Sequence, residues 1–148
     1  MLSSPRVTEH LGLAVAGKQV HNAVMCLLSA LQFHELTAQQ PHEVWIGVEV
    51  KAHRPKLDWP SAHVVRSSGA APEESVKDHR IERVPARFYG IAKTVVDCFK
   101  YRRKINIDVS IEELRDALRK RVSVDAIYRF AKICRVATVI RLYLESAA

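Results

Sequence analysis

The chain has 148 residues, long enough for one domain with a sizeable core. Hydrophobic residues make up 48% of it and charged residues 26%, which excludes a disordered or fibrous protein and fits a soluble globular one. The formal net charge of +7 points toward nucleic acid or acidic partners, although it equally suits a surface that is basic for solubility alone.

In chain order, residues 1–7 are expected to be disordered and residues 8–148 to form a single domain. No apolar segment follows the N-terminus as in a signal peptide, and no apolar run is long enough to span a membrane. A cytoplasmic protein without a membrane partner is therefore expected. Thr8 to Ala16 reads as a short helix through Leu11, Leu13 and Val15, ended by Gly17. Asn22 is a plausible N-cap for a second helix from Ala23 to about His34. In it Val24, Leu27, Leu28 and Leu31 have core spacing, and Ser29 and Ala30 permit close packing. After a loop from Thr37 to Pro41, Val44, Ile46, Val48 and Val50 alternate as in a half-buried strand. Lys51 to Trp59 is a basic connector containing Arg54 and Lys56. His63 to Arg66 suggests another strand, and Ser67 to Pro72 a loop leading into one helical turn near Glu73 to Val76.

The segment from Arg80 to Lys104 organises the chain. Ile81, Val84, Phe88 and Tyr89 indicate two short strands. From Ile91 the period changes, because Ile91, Val95, Cys98 and Phe99 share one helical face while Lys93, Asp97 and Lys100 fall on others. The helix runs into the basic cluster Lys100, Arg102, Arg103 and Lys104, which favours its dipole. Farther on, Ser110 and Glu113 have capping-box spacing, with Val109 and Leu114 placed as a hydrophobic staple. Ile111, Leu114, Ala117 and Leu118 face inward, while Arg115, Arg119, Lys120 and Arg121 stay solvated. Ser123 opens the next helix, whose apolar face continues through Ile127, Phe130, Ala131 and Cys134 and ends at Arg135. Val136 to Leu144 is read as a last helix, with a strand as the alternative because of its β-branched content. The expected fold is α+β: N-terminal helices, a small and mostly antiparallel sheet of about four strands, and a helical C-terminal third.

No catalytic constellation is found. Glu49-Val50-Lys51 has the E-x-K form of restriction-type nucleases, in which a carboxylate holds Mg²⁺ and a lysine steadies the attacking water. Only Glu35 and Glu43 could complete that metal shell, and an E-x-K at a strand exit is also an ordinary solvated edge. His34-Glu35 and His42-Glu43 lack the HExxH spacing that sets two imidazoles on one helical face. There is no nucleophile elbow, Walker loop or dinucleotide fingerprint. Cys26, Cys98 and Cys134 are odd in number and widely spaced among apolar residues, as reduced buried thiols would be. Neither metal nor cofactor is expected. Three basic groups remain as candidate contacts for nucleic acid or a protein partner: Lys51/Arg54/Lys56, Lys100/Arg102/Arg103/Lys104 and Arg115/Arg119/Lys120/Arg121. Ile111 to Cys134 does form helix, turn, helix, but both helices spend much of their surface on packing.

Gly90-Ile91-Ala92-Lys93-Thr94-Val95-Val96-Asp97-Cys98-Phe99-Lys100-Tyr101-Arg102 resembles a motif of the AbiEi family of abortive-infection type IV antitoxins. Val24 to His34 with Pro41 to Ile46 form a second match upstream, and Leu114 to Arg119 with Ala131 to Val136 a third downstream, in matching order and spacing. Relatives tend to carry Gly where this chain has Arg83, and Ser-Pro where it has Gly90-Ile91. The resemblance implies a non-enzymatic antitoxin and transcriptional regulator in phage defence, opposing a nucleotidyltransferase-like toxin from the same operon. It covers only the antitoxin part of such proteins. The residues before Thr8 are too few for the family's DNA-reading winged helix, so any DNA binding is expected to be non-specific.

Overall fold

The computed structural model describes residues 5–20, 24–36, 43–49, 61–67, 75–81 and 83–147. In chain order they form α1 (Pro5–Gln19), β1 (Val24–Met25), α2 (Leu27–Phe33), β2 (Val44–Glu49), β3 (Ala62–Ser67), β4 (Val76–Ile81) and β5 (Val84–Tyr89), followed by α3 (Ile91–Lys100), α4 (Arg102–Ile105), α5 (Ile107–Arg119), α6 (Val124–Ile133) and α7 (Ala137–Ala147). The class is α+β, with a helical C-terminal region. The sheet, however, has five strands in the order β3-β2-β1-β5-β4 and is mixed rather than mostly antiparallel. β1 runs antiparallel to β2 and parallel to β5, β2 runs parallel to β3, and β4 runs antiparallel to β5.

The centre of that sheet is the shortest strand. Val24 pairs with Gly47 on one side and Arg87 on the other, and Met25 with Ile46 and Phe88. The apolar spacing predicts Val24 in a helix, yet the helix starts only at Leu27. Two residues cannot display a period of two, and their strand conformation comes from the pairing on both sides. Val76, expected in a helical turn, instead begins β4 and pairs with Tyr89.

Alternate residues divide the sheet between two cores. Met25, Ile46, Val48, Ala86 and Phe88 pack with Leu13, Ala14 and Ala16 of α1. Helix α1 begins at Pro5, so residues 5–7 are helical rather than disordered, and it continues through Gly17 to Gln19. Gly17 serves an approach rather than a stop: a Cβ there would lie 3.2 Å from the Cβ of Ala86 and 3.3 Å from the Pro85 carbonyl. Val24, Trp45, Val65 and Tyr89 pack on the opposite face with Leu27 and Leu31 of α2 and Cys98 of α3. The amide of Trp45 donates to the buried Ser29 hydroxyl at 2.8 Å, tying α2 to β2.

Behind α3 lies a third core. Val95, Val96 and Phe99 meet Leu114 and Ala117 of α5, Ile127, Phe130 and Ala131 of α6, and Ile140 and Leu144 of α7. Helix α3 is thus covered from two directions, and every residue from Lys93 to Phe99 is buried.

Helix ends explain the remaining departures. Helix α5 starts at Ile107 with Asn106 as its cap, whose side chain accepts from the Asp108 amide at 3.0 Å. Ser110 therefore lies inside the helix and does not cap it. Its hydroxyl instead donates to the Cys98 carbonyl at 2.9 Å, joining α5 to α3. Ser123 does cap α6, accepting from the Ala126 amide at 3.2 Å.

Helices α2, α5 and α6 end on a left-handed residue without using glycine. Glu35, Arg121 and Arg135 have φ of 59°, 62° and 62°. In each case the next amide reaches back to form the Schellman bond: Leu36 to the Leu31 carbonyl, Val122 to Ala117 and Val136 to Ala131.

Candidate nucleic-acid or partner interface

The basic residues singled out from the sequence occupy different situations. Arg54 and Lys56 lie outside the described residues, as does Lys51, and so does the side chain of Glu49 at the end of β2. Lys100, Arg103 and Lys104 are exposed where α3 turns into α4. Lys100 and Lys104 sit near the same ring, with their Nζ atoms 5.5 and 5.8 Å from the Tyr101 centroid. That half-buried ring bundles two cations at one helix end.

Arg102 is different. Its Nη1 donates to the Phe99 carbonyl at 2.7 Å, adding a side-chain donor among the terminal carbonyls of α3. Arg102 is half-buried, so its first task is to close a helix.

On α5, Arg115 and Arg119 are exposed one turn apart. Arg119 donates to Asp116 at 2.6 Å in an exposed pair. Lys120 donates to the His34 carbonyl at 3.3 Å, joining the end of α5 to the end of α2. Arg121 is exposed on its left-handed residue. The helix-turn-helix segment uses Leu114, Ala117, Ile127 and Phe130 for the third core, which leaves the cations on its outer side.

A further group has no signature in the sequence pattern. Lys77, Arg80, Arg83 and Arg87 are all exposed on the β4–β5 hairpin, where β4 is a sheet edge. They are spread over eleven residues and form no run. Charge on an edge strand also discourages pairing with another sheet.

Beneath the surface lies a cluster that helical periodicity alone places off the apolar face. Lys93 and Asp97 are 6% and 4% exposed, and the Lys93 ammonium donates to Asp97 Oδ1 at 2.6 Å. The same ammonium lies 4.2 Å from the Tyr89 ring centroid. Burial works against the Lys93 charge, but the attraction and hydrogen bond of Asp97 prevail and hold its pKa above the ordinary lysine value. No neutral amine is on hand at pH 7, so the pair suits a structural lock better than a nucleophile. Burial raises the thiols of Cys26, Cys98 and Cys134, which keeps them protonated. All three are free, with Cys26 and Cys98 buried and Cys134 only half-buried.

The two His-Glu doublets separate in space. His34 shares a hydrogen bond of 2.9 Å with the Tyr89 carbonyl, and burial lowers its pKa from the usual histidine value. Glu35 takes the left-handed helix end. His42 lies outside the described residues, and Glu43 is exposed with its carboxylate 3.9 Å from His63.

No protein-family model matches this chain, and no curated protein is significantly similar to it.

Proposed function

We propose that this chain is a non-enzymatic antitoxin and regulator domain of the AbiEi kind, which acts by binding DNA and by opposing a nucleotidyltransferase-like toxin. The observation that carries this reading is the set of three motif resemblances in matching order. Their residues fall on β1, α2, β2, α3, α5 and α6, the elements around the two cores that meet at α3. The exposed cations at the α3–α4 junction and on α5 support a polyanion contact that neutralises phosphates without reading bases.

The test is fluorescence anisotropy with the DNA upstream of the gene and a scrambled duplex at two salt concentrations, alongside co-purification with the product of the neighbouring gene. Comparable, salt-sensitive binding to both duplexes and a complex with a nucleotidyltransferase-like neighbour are expected. Absence of both interactions overturns the proposal.

A further inference from the structure

We propose that Glu112, Glu113 and Asp116 on α5 form a binding site for a hard divalent cation of the size of Ca²⁺. One carboxylate oxygen from each lies within 4.8 Å of the others. Ca²⁺ binds oxygen at about 2.3–2.6 Å, so oxygens up to about 5 Å apart can share one ion. Mg²⁺, with bonds of about 2.0–2.1 Å and a near-ideal octahedron, requires a tighter set.

Spacing alone would describe many acidic helix surfaces. What separates this one is Glu113. Its side chain belongs to a residue only 1% exposed, and its Oε2 is buried with no hydrogen-bond partner among the described residues. An orphaned buried carboxylate oxygen is costly, and a cation bound to the Glu113 carboxylate beside its two acidic neighbours would offset that cost.

Each ligand has a distinct placement. Glu112 is exposed and gives the ion a route from solvent, Asp116 is half-buried, and Glu113 forms the floor. Arg119 holds Asp116 Oδ1 at 2.6 Å, but the arginine is exposed and its side chain can yield at little cost. Three carboxylates with no nitrogen or sulfur donor select a hard ion over Zn²⁺ or Cu²⁺. Water would complete the coordination, as is common for such ions.

The experiment uses the full chain, stripped with chelator and titrated with CaCl2, MgCl2 or MnCl2 in calorimetry and thermal unfolding. One Ca²⁺ per chain is expected, with a rise in Tm that grows with its concentration and a smaller response to Mg²⁺. Glu113→Gln should abolish binding. Because a change at a buried position can disturb folding, Glu112→Gln at the exposed position provides the second test, with affinity weaker on the order of ten-fold. The proposal is overturned by an absence of heat and Tm shift at about 10 mM Ca²⁺, beyond the range of weak protein sites. It is equally overturned if wild type and both variants respond alike, as a general effect on surface charge would produce.

Discussion

Lys93 and Asp97 stand one turn apart on α3 and join at 2.6 Å where nearly all water is excluded. On an isolated helix this is a routine surface pair, worth a few tenths of a kcal/mol. Here the helix lies between the sheet and the helical layer, so each ion depends on the other to offset its desolvation.

Removing one partner therefore exposes the dependence. Lys93→Met should destabilise the protein by about 3–5 kcal/mol, because it leaves the Asp97 carboxylate buried and unpaired. Lys93→Met combined with Asp97→Leu should recover most of that loss. Urea unfolding of the two single variants and the double variant measures the coupling. Additive losses would show that the two residues do not act as a pair.

Arg83 adopts φ of 68° in the turn between Ile81 and Val84. The backbone there keeps the left-handed conformation that glycine favours. Arg83→Gly should stabilise the protein by about 0.5–1 kcal/mol, the relief of left-handed strain exceeding the added entropy of the unfolded chain. Arg121→Gly and Arg135→Gly, at helix ends with φ of 62°, should act in the same direction. Thermal unfolding decides this, and a lower Tm for all three would refute the strain argument.

His34 bonds the Tyr89 carbonyl and is faced by His79 and Lys120, with burial as the main cause of its lowered pKa. A histidine with a lower pKa in the folded state contributes stability that is present above about pH 6.5, its unfolded value, and lost as pH falls through the folded value. The slope from this one group is at most about 1.4 kcal/mol per pH unit. Unfolding free energy measured from pH 7.5 to 5 should fall for the wild type and fall less for His34→Gln. Parallel profiles would place the acid sensitivity elsewhere.

Basic residues that look alike in the sequence should separate in their effects. Alanine at Arg103, Lys104 and Arg115 should weaken duplex binding at both salt concentrations and lower the salt slope by about one for each phosphate left without a cation. Arg102→Ala should mainly lower stability, by about 1 kcal/mol, since its hydrogen bond closes α3. Anisotropy titrations paired with melting curves distinguish the two classes. An undiminished affinity in the triple variant would remove these residues from the interface.

Much of the fold was legible because local pattern and final environment agree. The period of α3, the strand alternation from Val44, the Ser123 cap and the helical end of the chain all follow from spacing and short-range chemistry. The exposure of Lys100, Arg103 and Lys104 was legible for the same reason, since cations beyond an apolar face remain in water. What the tertiary structure alone decided concerns residues governed by distant segments. Val24 and Met25 became the central strand because β2 and β5 flank them, and Ser110 turned to the Cys98 carbonyl because α5 begins at Asn106. Lys93 and Asp97 left the solvent because α3 is covered from two sides, and Glu113 was brought under cover without a partner for its Oε2 among the described residues. A sequence specifies the faces of a helix, but the number of faces that become buried depends on how many layers close over it.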